Sequence, residues 1–141
     1  MPSSFKRIGI LTGGGDCPGI NAVIRAVTKT ALYKYGLRVI GIEDGFQGLV
    51  ENRVVELSAA DVSGILNRGG TILGTNNRCN PSRMHIGKDD RGQPKFENRV
   101  KHCLDTIAQH ELDALIVVGG DGTMSCTAPF VEAGVNSIAL P

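Results

Sequence analysis

The sequence predicts an α/β fold of three layers, a mainly parallel sheet between helices. Short apolar runs alternate along the chain with segments of helical periodicity, as in a parallel sheet joined by crossover helices. Two glycine clusters, GGG at 13–15 and GGDG at 119–122, each follow an apolar run and precede a helical segment. The size suits one domain: 141 residues, 41% of them hydrophobic, with 19 glycines gathered in clusters.

The elements follow in order. KRIGILT (6–12) reads as a strand that stops at the first glycine cluster. Residues 18–36 carry Ile20, Val23, Ile24, Val27 and Ala31 at helical spacing, with Pro18 near the start and Gly36 at the end. LRVIGIE (37–43) is a second strand, followed by a glycine-punctuated loop, DGFQGLVEN (44–52). VVEL (54–57) is short and extended, and Ser58 caps a helix expected through Asn67, stopped by Gly69 and Gly70. TIL (71–73) is a strand fragment opening a polar loop over 74–95, too long for a simple connection and so pointing to function or local flexibility. A helix from about Phe96 to His110, a strand ALIVV (114–118), a helix from about Met124 to Ala133 and a strand NSIAL (136–140) complete the series.

Composition excludes several classes. A net charge of +1 offers no electrostatic basis for binding nucleic acid or an anionic membrane surface. No run approaches the ~18 apolar residues of a membrane span. The amino-terminal apolar run is broken by glycines and Asp16, unlike the core of a signal peptide. Cys17, Cys79, Cys103 and Cys126 stand 62, 24 and 23 residues apart without a C-x-x-C pair. That spacing reads as reduced thiols of a cytoplasmic protein, not a disulfide framework or a zinc site.

In sheets of this class ligands bind outside the carboxyl ends of the strands, so both glycine clusters are expected to face one crevice. Helix amino termini present unpaired N–H groups and partial positive charge, and glycine lets backbone approach an anion closely. A bare carboxylate at Asp121 would repel phosphate unless a hard cation lay between them, and magnesium bridges carboxylates to phosphates. Thr123 adds a hydroxyl able to cap the helix or donate to a phosphate oxygen. For either loop alone the alternative is an ordinary turn, with Asp121 as a helix N-cap. Neither loop fits G-x-G-x-x-G or G-x-x-x-x-G-K-[ST].

Four blocks, IGILTGGGDCPGINAVIRAV, GIEDGFQGLVE, ILNRGGTILGT with NRCNP, and DALIVVGGDGT, resemble in order and spacing the 6-phosphofructokinases, ATP-dependent and pyrophosphate-dependent alike. GGDGT alone also occurs in NAD kinases and diacylglycerol kinases; the GGGDCPGINAVIRAV block distinguishes the candidates. The resemblance implies a Rossmann-like three-layer sandwich, with 1–141 as the amino-terminal donor-phosphate domain and the family's second domain absent. It implies donor-phosphate contacts at Gly15, Gly120, Asp121, Gly122 and Thr123, with Asp121 as the Mg2+ ligand. Phe46 takes the place of an aromatic near the adenine, with a core plug as its plain alternative. Arg78 and Cys79 match a donor-binding pair in which the arginine stabilises charge on the transferred group. The donor is expected to be ATP, because an aspartate in place of Gly122 would crowd an α-phosphate, or alternatively pyrophosphate. Cys126, where many ATP-dependent members have glycine, tilts toward the latter.

Of the family's effector arginines, Arg25 matches one position, Lys29 replaces a second and Ala59 stands at a third, which argues against nucleotide regulation. The chain ends at Pro141 before the family's T-I-D-N-D segment, which carries the catalytic base and sugar-phosphate contacts. No catalytic base is therefore expected within 1–141, and the isolated chain is expected to be inactive. The full-length protein would phosphorylate the 1-hydroxyl of fructose 6-phosphate in glycolysis as a homo-oligomer (dimer or tetramer), with neither nucleic acid nor membrane as partner. After a pyrophosphate-dependent enzyme, the alternatives are an NAD kinase-like enzyme and a non-catalytic nucleotide-binding module.

Overall fold

A computed structural model describes residues 4–14 and 18–141. Its elements run β1 (Arg7–Thr12), α1 (Ile20–Tyr35), β2 (Arg38–Ile42), α2 (Phe46–Glu51), β3 (Val54–Leu57), β4 (Met84–Lys88), β5 (Pro94–Glu97), α3 (Val100–Gln109), β6 (Ala114–Val118), α4 (Asp121–Glu132) and β7 (Ser137–Leu140). Five strands form one sheet in the order β3-β2-β1-β6-β7, and β4 and β5 form a separate hairpin. β1 pairs in parallel with β2 and with β6, and β6 in parallel with β7. Only β3 is antiparallel, to β2.

Strand periodicity divides the core into two. Ile8 and Ile10 of β1 and Val39 of β2 pack with Ile20, Ile24 and Ala31 of α1 on one face. Leu11, Ile42, Leu115 and Val117 point to the other face, where they meet Phe46, Leu49, Ile107 and Phe130 from α2, α3 and α4. The three layers expected from the sequence are present. β1 connects outward to β2 through α1, whereas β6 connects to β7 through α4 on the opposite face. The strand order therefore reverses between β1 and β6, and an open α/β sheet has its ligand crevice at such a reversal.

Several local expectations are corrected. DGFQGLVEN is not all loop: Phe46–Glu51 is helical, entered from Gly45 at φ 63 and left through Asn52 at φ 57. Six residues are too few to display a helical period. The helix expected from Ser58 to Asn67 is a series of turns. Its cap does form, because Ser58 Oγ donates to Asp61 Oδ2 at 2.8 Å and Asp61 N–H donates back to Ser58 Oγ at 3.3 Å. Gly64, at φ 71, turns the chain away, and Val62 and Ile65 bury against the α1 face instead. Residues 71–73 form a turn rather than a strand. The long polar loop contains the β4–β5 hairpin, so α3 starts at Val100 and Phe96 lies in β5. α1 starts at Ile20 after Gly19, and α4 starts at Asp121 rather than Met124.

The segment that follows these turns is tied to the end of the sheet. Asn21, only 2% exposed, donates from Nδ2 to the carbonyls of Arg68 (3.1 Å) and Gly69 (3.3 Å), and its Oδ1 accepts from Ile72 N–H at 2.7 Å. Thr12 Oγ1 donates to the Gly74 carbonyl at 2.8 Å. Asn21→Ala strands two carbonyls and one N–H, so unfolding free energy measured in urea is expected to fall by about 1–3 kcal/mol. An unchanged midpoint would show that water replaces these bonds freely.

Candidate active site

The carboxyl ends of β1 and β6 lie side by side, with Gly13 N–H donating to the Val118 carbonyl at 2.8 Å. Gly119 N–H donates in turn to the Leu140 carbonyl at 3.1 Å. Thr123 is wedged against both loops. A Cβ added to Gly119 would stand 2.5 Å from Thr123 Oγ1 and 2.7 Å from its Cβ, and one added to Gly13 would collide with Thr123 Cγ2. Real Cβ contacts do not come so close, so both positions require glycine for approach rather than for backbone freedom. Thr123 is 8% exposed and sits in the first turn of α4. It is not the helix cap: Gly120 is, without a side-chain bond.

A cleft of about 460 Å³ opens beside this wedge. Gly13 and Gly14 contribute from the loop after β1, Gly120 from the cap of α4, and Gly122, Thr123, Ser125 and Cys126 from its first turns. Phe46 closes the floor, and Asn76, Asn77, Cys79 and Asn80 form the remaining wall. Of the residues singled out from the sequence, Phe46, Cys79, Gly120, Gly122 and Thr123 thus share one cleft. Arg78 and Asp121 are exposed beside it rather than part of its lining. Gly15 lies outside the described residues. Asp121 is the first residue of α4, not a loop residue, and its carboxylate has no protein partner among the described residues. A negative charge there is favoured by the helix dipole. Magnesium is usually held by one or two carboxylates, waters and substrate phosphates. An exposed, unpartnered carboxylate fits that demand, and no group of three or more potential ligands occurs among the described residues.

Phe46 serves the core as well as the cleft. It is 2% exposed and stacks on Phe130, with centroids 5.6 Å apart and planes 5° from parallel. The cleft's thiols are neutral at pH 7. Burial foremost, then the neighbouring Cys126 and Glu51, pushes the Cys79 thiol up to about 11. Burial likewise raises Cys126, and Cys103 in the core is pushed up to about 12. Such thiols are weak nucleophiles and form a soft wall. Sequence reasoning did not single out Asn76, Asn77, Asn80 and Ser125; the amide-rich run around Arg78 was the signal for the first three. Arg25 and Lys29 lie one turn apart on α1, and Ala59 lies in the turns after β3, away from this cleft.

Residues 7–141 match the sequence model of a family described as Phosphofructokinase. The chain belongs to the phosphofructokinase family. It is 46% identical over 141 residues to ATP-dependent 6-phosphofructokinase 2 of Clostridium perfringens, covering all of this chain and 38% of that protein. ATP-dependent 6-phosphofructokinase 3 of Bacteroides thetaiotaomicron is 44% identical over 96% of this chain and 38% of its own length. The chain thus spans about 38% of the length of these relatives. Among solved structures, phosphofructokinase of Pichia pastoris superposes with a TM-score of 0.73 at 36% identity, covering 89% of this chain and 13% of that one. A pyrophosphate-dependent phosphofructokinase of Nitrosospira multiformis shares the fold, with a TM-score of 0.72 at 16% identity, over 96% of this chain and 33% of its own. No helix among the described residues is long and apolar enough to cross a membrane.

The glycines of this phosphofructokinase segment should differ sharply on substitution. Gly119→Ala forces a methyl into Thr123 and is expected to cost about 1–3 kcal/mol in urea unfolding. A Cβ at Gly122 meets nothing within 4 Å. Gly122→Ala should therefore stabilise by ~0.5–1 kcal/mol, since alanine suits a helix better than glycine. Equal effects at the two positions would refute the wedge.

The thiols give a pH dependence with a definite sign. Folding favours the protonated form of Cys79, whose ordinary value is 9.0 and whose folded value is about 11. Its stabilising contribution is complete below 9 and is lost as pH rises toward 11. The midpoint of thermal unfolding should therefore fall over that window, and less so in Cys79→Ala. Identical pH profiles for the two proteins would remove Cys79 as the cause.

Proposed function

We propose that this chain forms the donor half of the active site of an ATP-dependent 6-phosphofructokinase, which moves the terminal phosphoryl group of ATP to the 1-hydroxyl of fructose 6-phosphate. One observation carries the reading: the glycine loops after β1 and β6 meet at the strand-order reversal, around a cleft, with Asp121 at the first position of α4. Phosphoryl transfer asks mainly for positioning and charge neutralisation. The backbone N–H groups of Gly120, Gly122 and Thr123, at the start of α4, would receive donor phosphates, and Gly15 would add to them from the first loop. Asp121 would hold Mg2+, which supplies charge neutralisation between carboxylate and phosphates. Arg78, exposed beside the cleft, would stabilise charge on the transferred group, while Phe46 and Cys79 would form the surface beneath the nucleotide.

None of these residues is assigned as base. That role, the sugar-phosphate contacts and the second domain are expected from the part of the family's length that this chain does not span. The complete protein would act in the cytoplasm as a homo-oligomer.

Pyrophosphate is the second reading for the donor, favoured by the Cys126 side chain in the cleft wall. Against it, Gly122 leaves open space where an aspartate would meet an α-phosphate. The deciding measurement is kcat/KM of the full-length protein with ATP and with pyrophosphate. ATP should be preferred, and Gly122→Asp should lower ATP use far more than pyrophosphate use. Asp121→Ala should abolish magnesium-dependent turnover with the circular dichroism spectrum intact. A clear preference for pyrophosphate in the unsubstituted protein would sink the ATP assignment.

A further inference from the structure

Arg78 is exposed at the tip of a loop, yet its backbone is held firmly. The loop base is tied by Thr12 Oγ1 to the Gly74 carbonyl and by Asp44 N–H to the Leu73 carbonyl at 2.9 Å. Its tip is tied through Asn76, whose Oδ1 accepts from Arg78 N–H at 2.9 Å. Asn76 Nδ2 donates to Gln47 Oε1, and Gln47 Nε2 donates to Glu51 Oε1 at 3.0 Å. Glu51 Oε2 accepts from Arg53 Nε at 2.8 Å, and Arg53 donates to Asp44 Oδ2 at 2.8 Å. The circuit closes on itself: it leaves the loop at Leu73, runs through α2 and returns at Asn76.

The two amides in this circuit can point only one way. Arg78 offers an N–H, so the facing atom of Asn76 must be its oxygen, which leaves its nitrogen toward Gln47. Gln47 must then present oxygen to Asn76 and nitrogen to Glu51, an ionised carboxylate that only accepts. Each bond thus fixes the next, and chains of this kind strengthen one another. Glu51 is additionally held below the usual carboxylate range by Gln47 and then Arg53.

We infer that Asn76, oriented by Gln47 and Glu51, is a positioning residue that sets the backbone of Arg78 against the donor, so that turnover depends on an amide that need not touch the transferred group. The inference rests on the assignment of Arg78 above. Asn76 lines the cleft wall, so the donor side of the loop is the side its bond controls. A loop displaced by about 1 Å can cost on the order of a hundredfold in rate.

The test is a double-mutant cycle in the full-length protein, reading kcat and KM for phosphoryl transfer from ATP to fructose 6-phosphate. Asn76→Ala should lower kcat roughly ten- to a hundredfold with little change in the KM for the sugar phosphate. In an Arg78→Ala background the same substitution should cost nothing further. Additive losses would overturn the inference and leave the assignment of Arg78 standing, as would a silent Asn76→Ala. An Arg78→Ala variant with unchanged kcat would overturn both.

A second comparison guards against misfolding. Asn76→Asp alone turns Gln47 around and sets its oxygen against Glu51, so kcat should fall. Asn76→Asp combined with Glu51→Gln reverses both bonds of the Gln47 amide, leaves the donors Arg78 N–H and Arg53 Nε satisfied, and should restore kcat most of the way. Failure of the pair to recover, with thermal stability retained, would count against positioning through this circuit.

Discussion

The carboxyl edge of the sheet depends on one close approach, that of Thr123 to the backbones of Gly13 and Gly119. A buried side chain in the first turn of α4 touches the loops of two neighbouring strands, and neither Gly13 nor Gly119 tolerates a Cβ. The contact fixes the direction in which α4 leaves the sheet, and with it the orientation of the helix's first N–H groups. An anion site made of backbone has no side chain to adjust, so its accuracy is that of the packing beneath it.

The opposite wall of the cleft is assembled by other means. The segment from Arg68 to Asn80 has little regular structure and little core of its own, and polar groups hold it: Asn21 and Thr12 below, Asn76 above. α2 connects the two walls. Its outer side carries the circuit of amides and charges, and its inner side places Phe46 flat against Phe130 of α4. Movement of α2 would therefore disturb both the loop with Arg78 and the helix that starts at Asp121.

The layers, the parallel strands and the meeting of the glycine loops were legible because each leaves a periodic or clustered trace. β1, α1, β2 and β6 all have apolar spacing long enough to name them. What was not legible fell where tertiary context overrode local signals. Ser58 and Asp61 form a cap that a helix would use, yet Gly64 and the burial of Val62 and Ile65 bend the chain away. α2 was hidden by its length, and the β4–β5 hairpin by its polarity, since all four residues of β5 are exposed. At the cleft, Gly120, Gly122 and Cys79 could be named from motif and resemblance. The role of Asn76 could not, because it arises from Gln47, 29 residues earlier in the chain.

The two margins of the sheet are unlike. At β3 the strand is four residues long and antiparallel, and Glu56 is paired with Arg38 of β2 at 2.6 Å. Charge on a short border strand discourages another strand from adding to it. At β7 the border residue Ile138 is 56% exposed, and an apolar hollow of about 290 Å³ opens against Ile116 and Tyr35. A second hollow, of about 380 Å³, lies on the other face between Val131 and Ala139. The sheet consequently has a polarity across its width as well as along its strands: one selvedge is finished and the other is sticky. Any strand that joins it, whatever its source, meets charge on one side and bare hydrocarbon with open backbone on the other.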